Sequence, residues 1–179
     1  MRTNICIKKA TDGNHGQVYP MVIPAHANLV IKVDRWMKNT IGCGVTFREF
    51  VAYTSTGEIP DVIGWVNGYC IMAEVKISRT DFLSDKNKTH RQPILSSNVL
   101  GHWRFYITLP GVARPDEIPD GWGLYELHGN RIMHIAGAKY KNCGQPPFQS
   151  NRRDEVAIMY SALRRLALRG VLDRVYERI

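Results

Sequence analysis

Asn67-Gly68 stands between two runs of strand-forming residues, Ile59–Val66 and Tyr69–Ile77. Both residues of a two-residue hairpin turn take positive φ, and Asn-Gly meets that demand at least cost. The dipeptide therefore predicts a tight antiparallel hairpin and fixes the register of its strands. With Val66 opposite Tyr69, counting outward puts Ile63 opposite Met72, Val62 opposite Ala73 and Asp61 opposite Glu74. The two carboxylates become cross-strand neighbours, with Cβ atoms about 4.5–5.5 Å apart. Lys76 lies two residues beyond Glu74, so it shares that face and is diagonal to Asp61.

Like charges placed that way repel by about 3–4 kcal/mol at an effective dielectric of about 20. Lys76 offsets part of this. A divalent cation offsets more, and an all-oxygen pair suits Mg²⁺ or Mn²⁺ better than Zn²⁺. Taken alone, Glu74-Val75-Lys76 is the ordinary alternation of a half-exposed strand, and Asp61 after Pro60 is ordinary turn chemistry. A surface salt bridge of that kind is worth about 0–1 kcal/mol. The register is what turns the three residues into a site.

The rest of the chain frames this hairpin. A short strand at Ile5–Lys8 and a loop at Thr11–Gly16 open it. Leu29, Val30, Val33, Met37 and Ile41 recur at helical spacing, with Asn28 as N-cap and Gly42 and Gly44 as the stop. Val45–Tyr53 reads as a strand, and Thr54–Gly57 as the turn into the next one. Ser78 caps a short helix through Lys86, with Asp81 in the capping-box position. Trp103–Leu109 is a further strand, and Gly123–Leu127 and Arg131–Ile135 form a late hairpin. A basic helix spans about residues 151–170, with Val156, Met159, Leu163 and Leu166 as its apolar stripe. The order predicts one α/β (α+β) domain over residues 1–179, with a mixed sheet flanked by helices.

Charge and cysteine usage bound the function. The chain carries 24 basic and 16 acidic residues, a net +8. That excess points to a polyanion, and to nucleic acid first; solubility alone is the plain alternative. Cys6, Cys43, Cys70 and Cys143 form no CxxC pair, and the histidines, His15, His26, His102, His128 and His134 among them, show no ligand spacing. Neither structural zinc nor a disulfide framework is expected, and a reducing cytoplasmic compartment is. No run reaches the length of a membrane span, and the first residues lack the apolar stretch of a secretory signal.

Pro60-Asp61 followed across a hairpin by Glu74-Val75-Lys76 resembles the PD-(D/E)XK nuclease superfamily. The helix, three strands, helix and strand resemble that family's restriction-endonuclease-like core (αβββαβ), here with an extra hairpin and a C-terminal helix. Ser78-Arg79-Thr80-Asp81-Phe82-Leu83-Ser84-Asp85-Lys86 is similar to the segment after the catalytic strand in MmcB-like DNA-repair proteins, a branch of that superfamily. Phe105-Tyr106 and Gly123-Leu124 extend the similarity, which covers about residues 28–135.

The resemblance implies a metal-dependent nuclease that hydrolyses DNA in repair, recombination or phage DNA processing. Asp61, Glu74 and the carbonyl of Val75 would hold Mg²⁺ or Mn²⁺, and Lys76 would orient water or stabilise charge on the phosphate. Glu49 is a further metal candidate. A four-residue loop at Thr54–Gly57 sets it off Asp61's face; one more loop residue or a bulge brings them together. Lys86, Lys88, His90 and Arg91, with Arg164 and Arg165 on the basic helix, are candidate phosphate contacts, and Trp103 and Trp122 are weighed between base stacking and burial. DNA is the expected partner, RNA stays open on the residues alone, and two symmetric cuts at a junction would need a homodimer. The alternative is a non-catalytic nucleic-acid-binding module of the same fold.

Overall fold

The computed structural model describes residues 25–85, 99–141 and 144–178. The expected strand at Ile5–Lys8 and loop at Thr11–Gly16 lie outside the described residues. The elements are α1 (Ala25–Trp36), a π-helical turn (Met37–Ile41), β1 (Val45–Arg48), β2 (Val62–Val66), β3 (Tyr69–Lys76), α2 (Arg79–Asp85), β4 (Trp103–Thr108), β5 (Trp122–His128), β6 (Arg131–Gly137) and α3 (Arg152–Leu168). The six strands form one mixed sheet in chain order. Pairing is antiparallel from β1 through β3, parallel from β3 to β5, and antiparallel again at β6.

The hairpin follows from its turn chemistry. Asn67 and Gly68 take φ of 49° and 78°, and the ladder runs from Val66 opposite Tyr69 to Val62 opposite Ala73. It stops one pair short of Asp61 and Glu74. β3 is buried on both faces, as a central strand flanked by helices must be. Leu29, Val30, Val33 and Met37 pack on Val62, Ile71, Ala73 and Val75. Phe82, Leu100 and Ile158 pack on Ile63, Met72, Tyr106 and Leu124 on the other side. Each such side chain contributes about 1.5–3 kcal/mol by burial.

Four expectations are corrected. α1 begins at Ala25, so Asn28 is an interior residue and not the N-cap. β1 ends at Arg48, not Tyr53, because Glu49 takes a φ of 44° and turns out of the ladder. The segment up to Asp61 is then consumed by tertiary contacts. Phe50 stacks on Phe47, Ser55 donates twice to Asp154 at 2.9 and 2.8 Å, and buried Glu58 pairs with Arg104. β1 and β2 are therefore joined by a long excursion rather than a tight loop at Thr54–Gly57.

The fourth correction concerns α3. Asn151 caps it by accepting from the Asp154 N–H at 3.2 Å. Its sheet-facing residues are Asp154, Glu155 and Ile158, while the stripe Val156, Met159, Leu163 and Leu166 faces solvent. Polar anchors set the helix's rotation: Asp154 holds Ser55 and Glu155 accepts from the Trp65 indole at 3.0 Å. Trp103 and Trp122 are buried, as are the free thiols Cys43 and Cys70. Among the described residues no helix is long and apolar enough to cross a membrane.

Candidate functional site

β3 presents Cys70, Met72, Glu74 and Lys76 to the side covered by α2, because alternate strand residues share a face. Apolar residues fill the middle of that face, and the two charged ones fall at its end. Glu74 and Lys76 are nonetheless buried, at 3% and 4% exposure. Tyr106 of β4 stands in register with Glu74. α2 adds Asp85, one helical turn after the core residue Phe82 and on the same inward face.

These groups form a chain of contacts. The Tyr106 hydroxyl donates to Asp85 Oδ2 at 2.8 Å. Lys76 Nζ lies 3.3 Å from Asp85 Oδ1 and 3.4 Å from Glu74 Oε2. Burial pulls the Lys76 pKa down, but the charges of Glu74, Asp85, Asp61 and Asp81 push it up by more. The net direction is upward, so Lys76 is a fixed ammonium held between two carboxylates.

Asp61 sits where β2 begins. Its Oδ2 accepts from the Val75 N–H at 2.6 Å, and its Oδ1 lies 3.6 Å from His26 Nε2. Burial, and then the charge of Glu74, raise its carboxyl to about 6, against the lowering effects of the Val75 N–H, Lys76 and His26. Asp61 thus feels the charge of Glu74, one position beyond the Val62–Ala73 end of the ladder. The Lys76 carbonyl accepts from Leu109 on the β4 side. By the alternation of strand hydrogen bonding, the Val75 N–H and C=O both point toward the β2 edge, where Asp61 lies.

Glu49 joins Asp61 by a route the sequence left open. Arg48 is opposite Val62, and the next pair continues with the Glu49 N–H donating to the Asp61 carbonyl at 3.0 Å. His26, in the first turn of α1, places Nδ1 3.8 Å from Glu49 Oε1. One donor atom each from His26, Glu49 and Asp61 lies within 4.8 Å of the others. A groove of about 510 Å³ runs past Glu49, with Asp34, Lys38 and Arg48 on its walls.

Among the described residues, His26, Glu49 and Asp61 are the side chains that could hold a divalent cation. Glu74 and Asp85 flank the Lys76 ammonium, Glu49 and Asp61 meet His26, and burial with the charge of Glu74 raises the Asp61 carboxyl to about 6. Carboxylates with a backbone carbonyl suit Mg²⁺ or Mn²⁺, and an imidazole moves the preference toward Mn²⁺.

The remaining expected residues divide. Lys86, Lys88, His90 and Arg91 lie outside the described residues. Arg165 is taken up by structure: its guanidinium covers the Phe50 ring at 4.1 Å and donates to the Val51 carbonyl. Arg164 is exposed, and no described acid pairs with it. His26 and Asp85 escaped the sequence reading although each carried a signal. The α1 stripe extends back to His26 at the spacing 26, 30, 33, 37, and Asp85 follows Phe82 by one turn.

No protein-family model matches the sequence, and no curated protein matches it. Among solved structures the chain is similar to a protein of unknown function from Silicibacter pomeroyi. The two share 22% identity with a TM-score of 0.51, over 78% of this chain and 88% of that one. At that identity the likeness is one of fold, a mixed α+β arrangement held in common.

Proposed function

We propose that the chain is a metal-dependent nuclease of the PD-(D/E)XK type that hydrolyses DNA phosphodiester bonds. Asp61 carries the reading. It is a half-buried carboxylate raised to about 6, hydrogen-bonded to the Val75 amide and placed between Glu74 and the His26–Glu49 pair. Asp61, Glu74 and the Val75 carbonyl would hold Mg²⁺ or Mn²⁺, with Glu49 and His26 completing the set. A bound divalent cation supplies charge to polarise a phosphoryl oxygen and lowers the pKa of a water.

The chain's own groups do the rest. Lys76 is oriented by Glu74 and Asp85, so its ammonium needs no reorganisation to donate to a phosphate oxygen or to the attacking water. Burial of Glu74 and Lys76 lowers the local dielectric and strengthens both interactions. The role in DNA repair follows from the resemblance of Ser78–Lys86 to the MmcB-like branch, and the cytoplasmic location from the unpaired pattern of the cysteines in the sequence.

The test is a cleavage assay on single-stranded, duplex, flap and branched DNA, with Mg²⁺, with Mn²⁺ and with chelator. Wild type is expected to cut only with metal. Glu74→Gln is expected to fall by about a hundredfold or more with the fold retained, and Lys76→Ala by as much at a temperature where circular dichroism shows it folded. Binding without cutting on every substrate would replace the nuclease by a nucleic-acid-binding module.

A further inference from the structure

A second groove, of about 300 Å³, lies between residues 51–53 and α3. Its walls include Tyr53, Tyr160, Ser161, Arg164, Arg165 and Leu168, and among the described residues no carboxylate lines it. Tyr160, Arg164 and Leu168 recur every four residues, so they stand in one row along the helix. Tyr53 faces them from the excursion between β1 and β2 and is 95% exposed; Tyr160 is 61% exposed. A chain gains nothing in stability by holding two tyrosine rings open to water, whereas both rings offer flat stacking surfaces.

The groove is built onto the candidate metal site. Arg165 fixes its floor by binding the Val51 carbonyl and covering Phe50, and Phe50 directly follows Glu49. Glu49 and Phe50 both line the larger groove, and Val51, the next residue, lines this one. With Arg165 committed to structure, Arg164 is the cation left among the described residues that line the groove.

We propose that this groove takes single-stranded polynucleotide and leads it toward Asp61 and Glu49. Planar rings beside an exposed guanidinium, with no carboxylate among the described lining residues, complement a strand whose bases are splayed and whose backbone is anionic. A duplex hides its base faces in its own stack, so it cannot use Tyr53 and Tyr160. The proposal names the substrate class for the nuclease reading and rests on it, but its test is one of binding alone.

Fluorescence anisotropy with labelled oligo(dT), oligo(rU) and a blunt duplex of equal length, all in chelator, provides that test. Single strands are expected to bind more tightly than duplex; either sugar supports the groove, and the tighter one names the substrate. Tyr53→Ala and Tyr160→Ala are each expected to weaken single-strand binding about tenfold, with Phe at either position restoring it. Arg164→Ala is expected to flatten the salt dependence by about 0.7 in log–log slope, the value of one lost phosphate on a single strand.

Duplex binding as tight as single-strand binding would overturn the proposal, and so would tyrosine variants that bind like wild type. A dimer seen in sedimentation and dispersed by Tyr160→Ala would assign the surface to a second copy instead. Glu74→Gln runs in parallel. If wild type never cleaves yet both tyrosines govern binding, the nuclease reading fails and the groove stands. Cleavage that ignores both tyrosines sinks the groove alone.

Discussion

Ionising Asp61 puts a negative charge beside Glu74 with Lys76 and His26 as the nearby positive groups, which is why burial and repulsion hold its carboxyl at about 6. An ordinary aspartate titrates near 3.8. The fold therefore prefers the protonated form. The stability this contributes is full below about pH 3.8 and is lost as the pH rises through about 6. In chelator, wild type is expected to lose about 2 kcal/mol relative to Asp61→Asn between pH 4 and pH 7. Urea melts across that range measure it; parallel curves for the two proteins would remove the repulsion on which the metal argument depends. Glu49 carries a cost of its own, since a non-glycine residue at a φ of 44° is strained by about 1 kcal/mol. The strain falls on a residue that meets His26 and Asp61, where it serves the site rather than the strand.

At the scale of elements, the late hairpin shows how tightly the sheet's far edge is built. β5 and β6 pair without a break from His128–Arg131 to Tyr125–His134, then shift register between Leu124 and Tyr125. The shift brings the Ala138 carbonyl within 2.1 Å of where a Cβ on Gly123 would lie. Backbone cannot yield as a side chain can. Gly123→Ala is expected to cost about 3 kcal/mol in chemical denaturation. Gly129 at the hairpin tip has open space and a φ of 62°, so Gly129→Ala should cost only about 1 kcal/mol. Equal losses at the two positions would mean that backbone conformation, and not the close approach, limits both. α3 makes the opposite point. Its polar residues Asp154 and Glu155 are buried and its apolar stripe is not, so hydrophobic period alone misassigns its faces.

Across the whole molecule, the excursion from Phe50 to Pro60 ties the sheet, α3 and the candidate site together. Arg165 grips it at Val51, Asp154 at Ser55, and Arg104 at Glu58. The Arg104–Glu58 pair is almost fully buried; its guanidinium also donates to the Leu100 carbonyl at 2.8 Å and stacks over Trp122 at 4.5 Å. Glu58→Ala takes the carboxylate from a buried cation and is expected to cost about 3–5 kcal/mol. Because Glu58 stands three residues before Asp61, the variant should also weaken Mn²⁺ binding, measured calorimetrically at a temperature where it is folded. Glu58→Gln keeps an oxygen for the Leu100 N–H and should retain more of both. A variant that loses stability but binds Mn²⁺ unchanged would separate the excursion from the site.

Sequence alone determined what depends on neighbours in the chain. The Asn67-Gly68 turn set the β2–β3 register, because two positive φ angles leave little choice of pairing, and that register brought Asp61, Glu74 and Lys76 to one end of the sheet. The apolar spacing of α1 was equally local, and its buried residues followed it. Tertiary structure decided what depends on distant partners. Glu49 reached Asp61 only because an excursion pinned by Asp154 and Arg104 replaced a short loop, and no local rule encodes contacts some fifty to a hundred residues away. The same holds for His26, which the packing of α1 on the sheet carries to Asp61. It holds for α3, whose outward apolar face exists because two buried carboxylates found their donors on other elements before the stripe could find a core.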